Sequence, residues 1–369
     1  METKAFDKKN TSMLHGIAIS MMVYHHLFIN GNHWCINEGI SLFDLFEFMN
    51  LNNDASVQML IAWFCKICVA VFAFTSGYGI CVQLARKCDG TYRSMYKYCL
   101  SRLWSFYKKF LIAFLFFNGY QILFDQSHHF DYSLPNFILN MLGLRASYNA
   151  TLWYVSIYYC MLLLAPIIYS VLNGKIKFRY ILYLAAVGAC FVLGMLIYAY
   201  IINDFHHYLV IVSNLVQSPV TVYLVIFAEG MICCRFSLLE KMYVRMNLPT
   251  FTALLLVTFV LRTMVIRVPG DYVFDVLFTV PFVLSVSGLF HESSYLKDFF
   301  SFLGRYSSYM WYSHPYFYSY LFFALVKRSD ISFFVYFQVM AYSLLMSLLF
   351  SFIERFFDNI FKNRVRKES

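Results

Sequence analysis

Apolar runs of about 20 residues recur along this 369-residue chain, separated by short polar segments rich in lysine and arginine. That length carries an α-helix across the hydrocarbon of a bilayer. The pattern predicts ten helices, at 12–30, 57–83, 107–124, 148–172, 179–201, 214–234, 249–267, 272–290, 307–326 and 332–353. A further apolar piece at 134–144 is too short to span and reads as re-entrant or interfacial. No polar stretch is long enough to bury a core of its own. The expectation is an all-α, polytopic membrane helix bundle, one domain over residues 1–369 with a short basic tail at 354–369. No internal repeat or inverted hydropathy symmetry is visible.

Composition agrees: 60% of residues are hydrophobic, and charged residues make up 13%, half the share in a soluble domain. The cations then orient the helices. With a cytosolic N-terminus, 23 of the 29 Lys and Arg fall on the inner side, which predicts that both termini are cytosolic. Lys66 and Arg262 lie inside predicted spans. The net charge of +9 therefore reads as topological anchoring and attraction to anionic lipid, with no nucleic-acid partner. The N-terminus lacks the small-x-small site of a cleaved signal peptide. Cys65 and Cys68 have CxxC spacing, but no second Cys/His pair accompanies them, so they read as packing; no metal site is expected.

Candidate chemistry starts in the first span, where His15, His25 and His26 interrupt an apolar helix. His15 and His26 lie within about 20° of each other around the helix and roughly 16 Å apart along it. An ionisable residue inside the membrane is a functional hypothesis by default. An imidazole there suits general-base chemistry, against the plainer alternative of a hydrogen-bonded structural histidine. His25 points about 100° away from His26 and receives no role.

Other polar positions are weaker signals. Arg102, Lys108 and Lys109 open the third span, either as topological anchors or as binders of phosphate. Thr75-Ser76-Gly77-Tyr78-Gly79 is a small, polar interruption of the second span. Glu229 reads as the one carboxylate well inside a span; pairing with Arg262 or coupling to protons would account for it. Trp153, and the Ser307–Pro315 segment with Tyr309 and His314, suit the wall of a polar cavity.

Taken in order, these pieces resemble the membrane acyltransferase-3 family, O-acyltransferases of surface polysaccharides. The family's first-span pattern of a basic residue, Gly-Ile-Ala and a histidine eleven positions on resembles His15-Gly16-Ile17-Ala18 ending at His26. Its "SGF" resembles Ser76-Gly77-Tyr78, its arginine-rich entry to span three resembles Ser101-Arg102-Leu103-Trp104-Ser105, and its "LWF" resembles Leu152-Trp153-Tyr154. Its "FxxG" resembles Phe227-Ala228-Glu229-Gly230, and its "LGxxSYxxYxxH" resembles the run from Leu303-Gly304 to His314, with one extra residue before the tyrosine. Two positions depart: His15 stands where the family has Arg or Lys, and Ser105 where a second basic residue is usual, with Lys108 or Lys109 as substitutes.

The resemblance implies transfer of an acyl, normally acetyl, group from cytosolic acyl-coenzyme A to a hydroxyl of a surface or lipid-linked glycan, at a bacterial cytoplasmic membrane. His26 is then the base or, alternatively, a nucleophile forming an acyl-histidine. His15, Arg102, Lys108, Lys109, Ser76, Trp153, Tyr309 and His314 would bind substrate or donor. No resident cofactor is implied; acyl-coenzyme A is a co-substrate. The rise from His15 to His26 is about the reach of an extended pantetheine arm. The competing expectation is a transporter or flippase for a sugar or lipid-linked glycan, with Glu229 and the histidines as a proton relay.

Overall fold

The computed structural model describes residues 6–30, 54–124, 132–174, 218–265, 271–290, 293–318, 325–326 and 332–368. They form α-helices, short 3₁₀ turns and one π turn, with no strand among the described residues. The α-helices are α1 (Lys8–His25), α2 (Asp54–Phe64), α3 (Cys68–Lys87), α4 (Tyr92–Leu123), α5 (Leu134–Met141), α6 (Tyr154–Leu172), α7 (Pro219–Phe236), α8 (Leu238–Tyr243), α9 (Leu248–Met264), α10 (Asp275–Leu289), α11 (Ser294–Ser313), α12 (Pro315–Tyr318) and α13 (Ser332–Glu368).

Among the described residues, five helical stretches are long and apolar enough to cross a membrane: Leu60–Lys87, Ala150–Leu172, Pro219–Phe236, Asp271–Leu289 and Phe333–Ile360. Together they make this a helical membrane bundle. The helix expected at 179–201 lies outside the described residues.

Local chemistry starts the helices where it does. Asp7 accepts from the Asn10 amide (2.7 Å) at the head of α1, and Thr91 accepts from the Ser94 amide (3.2 Å) at the head of α4. Asn247 accepts from the Thr250 amide (3.1 Å) at the head of α9. Several elements differ from the hydropathy reading. The expected 57–83 helix is interrupted by a 3₁₀ turn at Cys65–Ile67. α4 begins at Tyr92 and α11 at Ser294, well before their apolar runs. α13 continues to Glu368, so the basic tail is helical. Apolar runs mark what lipid or core covers; Lys, Arg and Glu propagate a helix beyond that limit.

Among the described helices, two pairs make the most extensive contacts, α1 with α11 and α3 with α7. Both cross on reciprocal glycines. A Cβ on Gly16 would strike the Phe300 carbonyl oxygen, and one on Gly304 the Ser12 carbonyl oxygen. In the second pair, Gly77 meets the Phe227 carbonyl oxygen and Gly230 the Phe74 carbonyl oxygen. Helices in lipid associate through such close packing, because lipid tails remove the usual hydrophobic drive. Gly77, within the small, polar interruption of the second predicted span, is taken up by this crossing.

Gly77→Ala and Gly230→Ala should each lower stability by about 1–3 kcal/mol through overpacking. A methyl group added at Gly119 in α4 would meet nothing within 4 Å, so Gly119→Ala should not destabilise. Thermal unfolding in detergent reads the contrast.

Candidate active site

α1 and the α2–α3 segment run antiparallel, and three contacts fix their register. Phe6 meets the Tyr78 ring (centroids 5.1 Å apart), His15 Nε2 lies 2.8 Å from Thr75 Oγ1, and His25 Nδ1 lies 2.8 Å from the Ala62 carbonyl oxygen. Between these helices and α4, α6, α7, α8 and α11 lies a cavity of about 1810 Å³. One end is a basic mouth with Arg86, Lys87, Arg102, Lys241, Arg245 and Arg305. The far end holds His25, His26, Trp63, Lys66 and Trp153. Among the described residues, nine Lys and Arg line the cavity against two carboxylates, Asp7 and Glu240, a balance that attracts anions.

At the far end the hydrogen bonds set the state of His26. His314, fully buried, has its Nδ1 3.1 Å from the Met310 carbonyl oxygen, which can only accept, so Nδ1 carries a proton. In a neutral ring its Nε2 is then a bare acceptor. That Nε2 lies 2.8 Å from His26 Nδ1, which must donate to it. The two rings are inclined by only 8° with centroids 5.1 Å apart, a separation equal to the hydrogen bond plus one radius from each ring. They meet edge to edge in a common plane. His26 Nε2 is left with a free lone pair, and His26 lines the cavity while His314 sits behind it. A π turn over His26–Asn30 begins at this residue; such widened turns are frequent at functional sites.

His25 donates from Nδ1 to the Ala62 carbonyl, tying the end of α1 to α2. His15 is governed by Thr75: the Thr75 hydroxyl donates to the Val71 carbonyl (2.7 Å), so its oxygen accepts from His15 Nε2–H. His15 therefore lines the cavity with its Nε2–H committed to Thr75, where the family pattern has a cation.

Of the remaining expected site residues, Ser76, Arg102, Lys109 and Trp153 line the cavity. Ser105 does too, its hydroxyl donating to the Ser101 carbonyl (2.9 Å). Others are corrected. Lys108 turns away to Asp358 (2.8 Å) and Glu354 (3.2 Å) of α13, so Lys109 is the cation at this turn that faces the cavity. Neighbours on a helix point about 100° apart, which is why only one of the two does so. Tyr309 donates to Glu354 Oε2 (3.1 Å) and also faces α13.

Glu229 does not pair with Arg262. Arg262 meets Asp271 (3.3 Å) and Asp275 (2.7 Å), while Glu229 is half-buried, outside the cavity lining, with Oε2 lacking a hydrogen bond among the described residues. Asp275, fully buried, is thus a more deeply placed carboxylate than Glu229. Lys66 completes this group by pairing with Asp271 at 2.5 Å. Asp271 and Asp275 receive no role from the hydropathy pattern, although a signal exists for them. Two cations within predicted spans require anions nearby, and these two are spaced i, i+4 at the head of an apolar run. Cys65 and Cys68 are buried free thiols, in keeping with packing.

A family model described as an acyltransferase domain matches residues 12–352. The chain belongs to the acyltransferase-3 family. It is accordingly a membrane acyltransferase, an enzyme that transfers acyl groups. No curated protein and no solved structure matches it. The family's short patterns divide between two physical tasks here. The glycines of "SGF", "FxxG" and "LG" hold helices together, whereas the two pattern histidines, His26 and His314, form the hydrogen-bonded pair at the cavity's far end.

Arg262→Met should destabilise the protein by about 3–5 kcal/mol, because it strands Asp275 without its buried partner. The double change Arg262→Met with Asp275→Leu should recover much of that loss, and thermal unfolding in detergent is the measurement.

Proposed function

We propose that this acyltransferase moves an acyl group, acetyl in the simplest case, from acyl-coenzyme A to a hydroxyl of a surface or lipid-linked sugar. The observation that carries the reading is the bare Nε2 of His26, fixed by the His26–His314–Met310 chain at the far end of a cavity whose other end is basic. Phosphates of the donor suit Arg102, Lys109 and the other cations of the mouth, where charge-assisted hydrogen bonds are strongest. The distribution of loop charge supports a mouth on the cytosolic side, and the family resemblance supports a bacterial cytoplasmic membrane.

In this mechanism His26 Nε2 takes the proton from the acceptor hydroxyl as its oxygen attacks the thioester carbonyl. The carbon–sulfur bond breaks, the ester forms, and the departing thiolate receives the proton from His26. His314 does not carry the proton onward, since its Nδ1–H is already given to a carbonyl. It positions His26 and holds its tautomer. The membership of an acyltransferase family and the placing of Glu229 outside the cavity lining both favour transfer over a transporter with a Glu229 proton relay.

His26→Ala should abolish acyl transfer in membranes supplied with radiolabelled acetyl-coenzyme A; full transfer by that variant would overturn the assignment. His314→Leu should lower kcat by roughly 10–100-fold with little change in donor KM, as loss of an orienting partner does. His15→Arg should tighten donor binding, read as a lower KM for acetyl-coenzyme A, by restoring a permanent charge to the cavity wall.

A further inference from the structure

Around His26 the cavity wall changes character. Trp153 packs on Tyr223 (centroids 5.6 Å), Tyr223 stacks on Tyr272 (6.3 Å, planes 19° apart), and Lys66 Nζ lies 5.7 Å from the Tyr272 centroid. Trp63, three residues before Lys66 and next to the Ala62 carbonyl that holds His25, lines the same end. Four segments of the chain thus contribute to one aromatic surface. Lys66 is the cation of this surface, and its charge is balanced: Asp271 binds it at 2.5 Å, and Arg262 holds Asp271 from behind at 3.3 Å. The mouth, by contrast, carries cations in excess of carboxylates. A cavity with an unbalanced basic end and a charge-balanced aromatic end is built for two chemically different ligands.

We infer that Trp63, Lys66, Trp153 and Tyr223 form the subsite for the acceptor's sugar ring, an inference that rests on the acyl-transfer reading above. A pyranose has an apolar C–H face that packs on an aromatic ring and a rim of hydroxyls that both donate and accept. Trp153 and Trp63, each half-buried at the cavity wall, offer the ring faces. Lys66 has three N–H donors; Asp271 engages one, leaving donors for a hydroxyl or ring oxygen. Because Asp271 and Arg262 fix the ammonium, it is held ready for that contact at little cost in side-chain freedom. Lys66 here acts as a specificity residue for the acceptor, separate from the phosphate-binding cations of the mouth.

The test uses the full chain in lipid nanodiscs without donor, so that it does not depend on turnover. The probe is the oligosaccharide mixture released by mild acid from the surface glycan of the producing cell, and tryptophan fluorescence reports binding. Lys66→Met and Trp153→Ala should each weaken oligosaccharide binding by about tenfold, the scale of one lost buried contact. Acetyl-coenzyme A binding should stay unchanged, and Lys66→Arg should retain oligosaccharide binding. Thermal unfolding identifies any variant that loses its fold, and Trp153→Ala, which breaks no ion pair, stands if Lys66→Met does not. Wild-type affinity in both variants, or no binding by the wild-type chain, overturns the subsite. So does a shift in preferred acyl-chain length with oligosaccharide binding intact, which would assign the wall to the acyl chain. Retained transfer by His26→Ala would sink the catalytic reading while leaving these binding results to be judged separately.

Discussion

The backbone contact between α1 and α11 is the constraint on which the site depends. Gly16 and Gly304 each face a carbonyl oxygen of the other helix with no room for a methyl group. Only at that separation does His26, near the end of one helix, come within 2.8 Å of His314 at the end of the other. A neighbouring pair of helices crossing on side chains would stand a few ångströms further apart, and an imidazole hydrogen bond does not stretch that far. The same device repeats between α3 and α7, where Gly77 and Gly230 set the wall opposite.

Hydrogen bonding then fixes the tautomer of His26 and leaves one of its nitrogens unprotonated. The Met310 carbonyl fixes the His314 proton, His314 fixes the His26 proton, and the unprotonated nitrogen of His26 is assigned as a consequence. This assignment needs no bound group. It follows from a carbonyl being unable to donate and from each neutral ring having one proton to give. His25, one residue away, shows how strongly the partner matters: bound to the Ala62 carbonyl, it braces α1 against α2.

Much of the site is legible in the sequence, and the misses share one cause. The helical arithmetic that sets His15 and His26 on one face agrees with both lining the cavity. Helix positions are legible wherever apolar runs define them, and come out short wherever charged residues extend them, as in α4, α11 and α13. Partner choice is where the pattern misleads. Hydropathy and motif point Lys108, Tyr309 and Arg262 toward substrate or Glu229, whereas they meet Glu354 and Asp358, Glu354, and Asp271 with Asp275. Glu354 and Asp358 lie on a stretch of α13 that reads as tail, so nothing in the pattern points to them.

By itself the sequence determined that the chain is a helical membrane protein, which residue types sit at membrane depth, and which of them share a face of one helix. Those are local properties, governed by hydropathy and by the fixed rise and rotation of the α-helix. The tertiary structure alone decided which polar groups pair across helices: His26 with His314, His15 with Thr75, Arg262 and Lys66 with Asp271. The physical reason is range. A hydrogen bond or ion pair acts over about 3 Å, and residues such as His26 and His314, 288 positions apart in sequence, reach that distance only when close helix crossings bring them there.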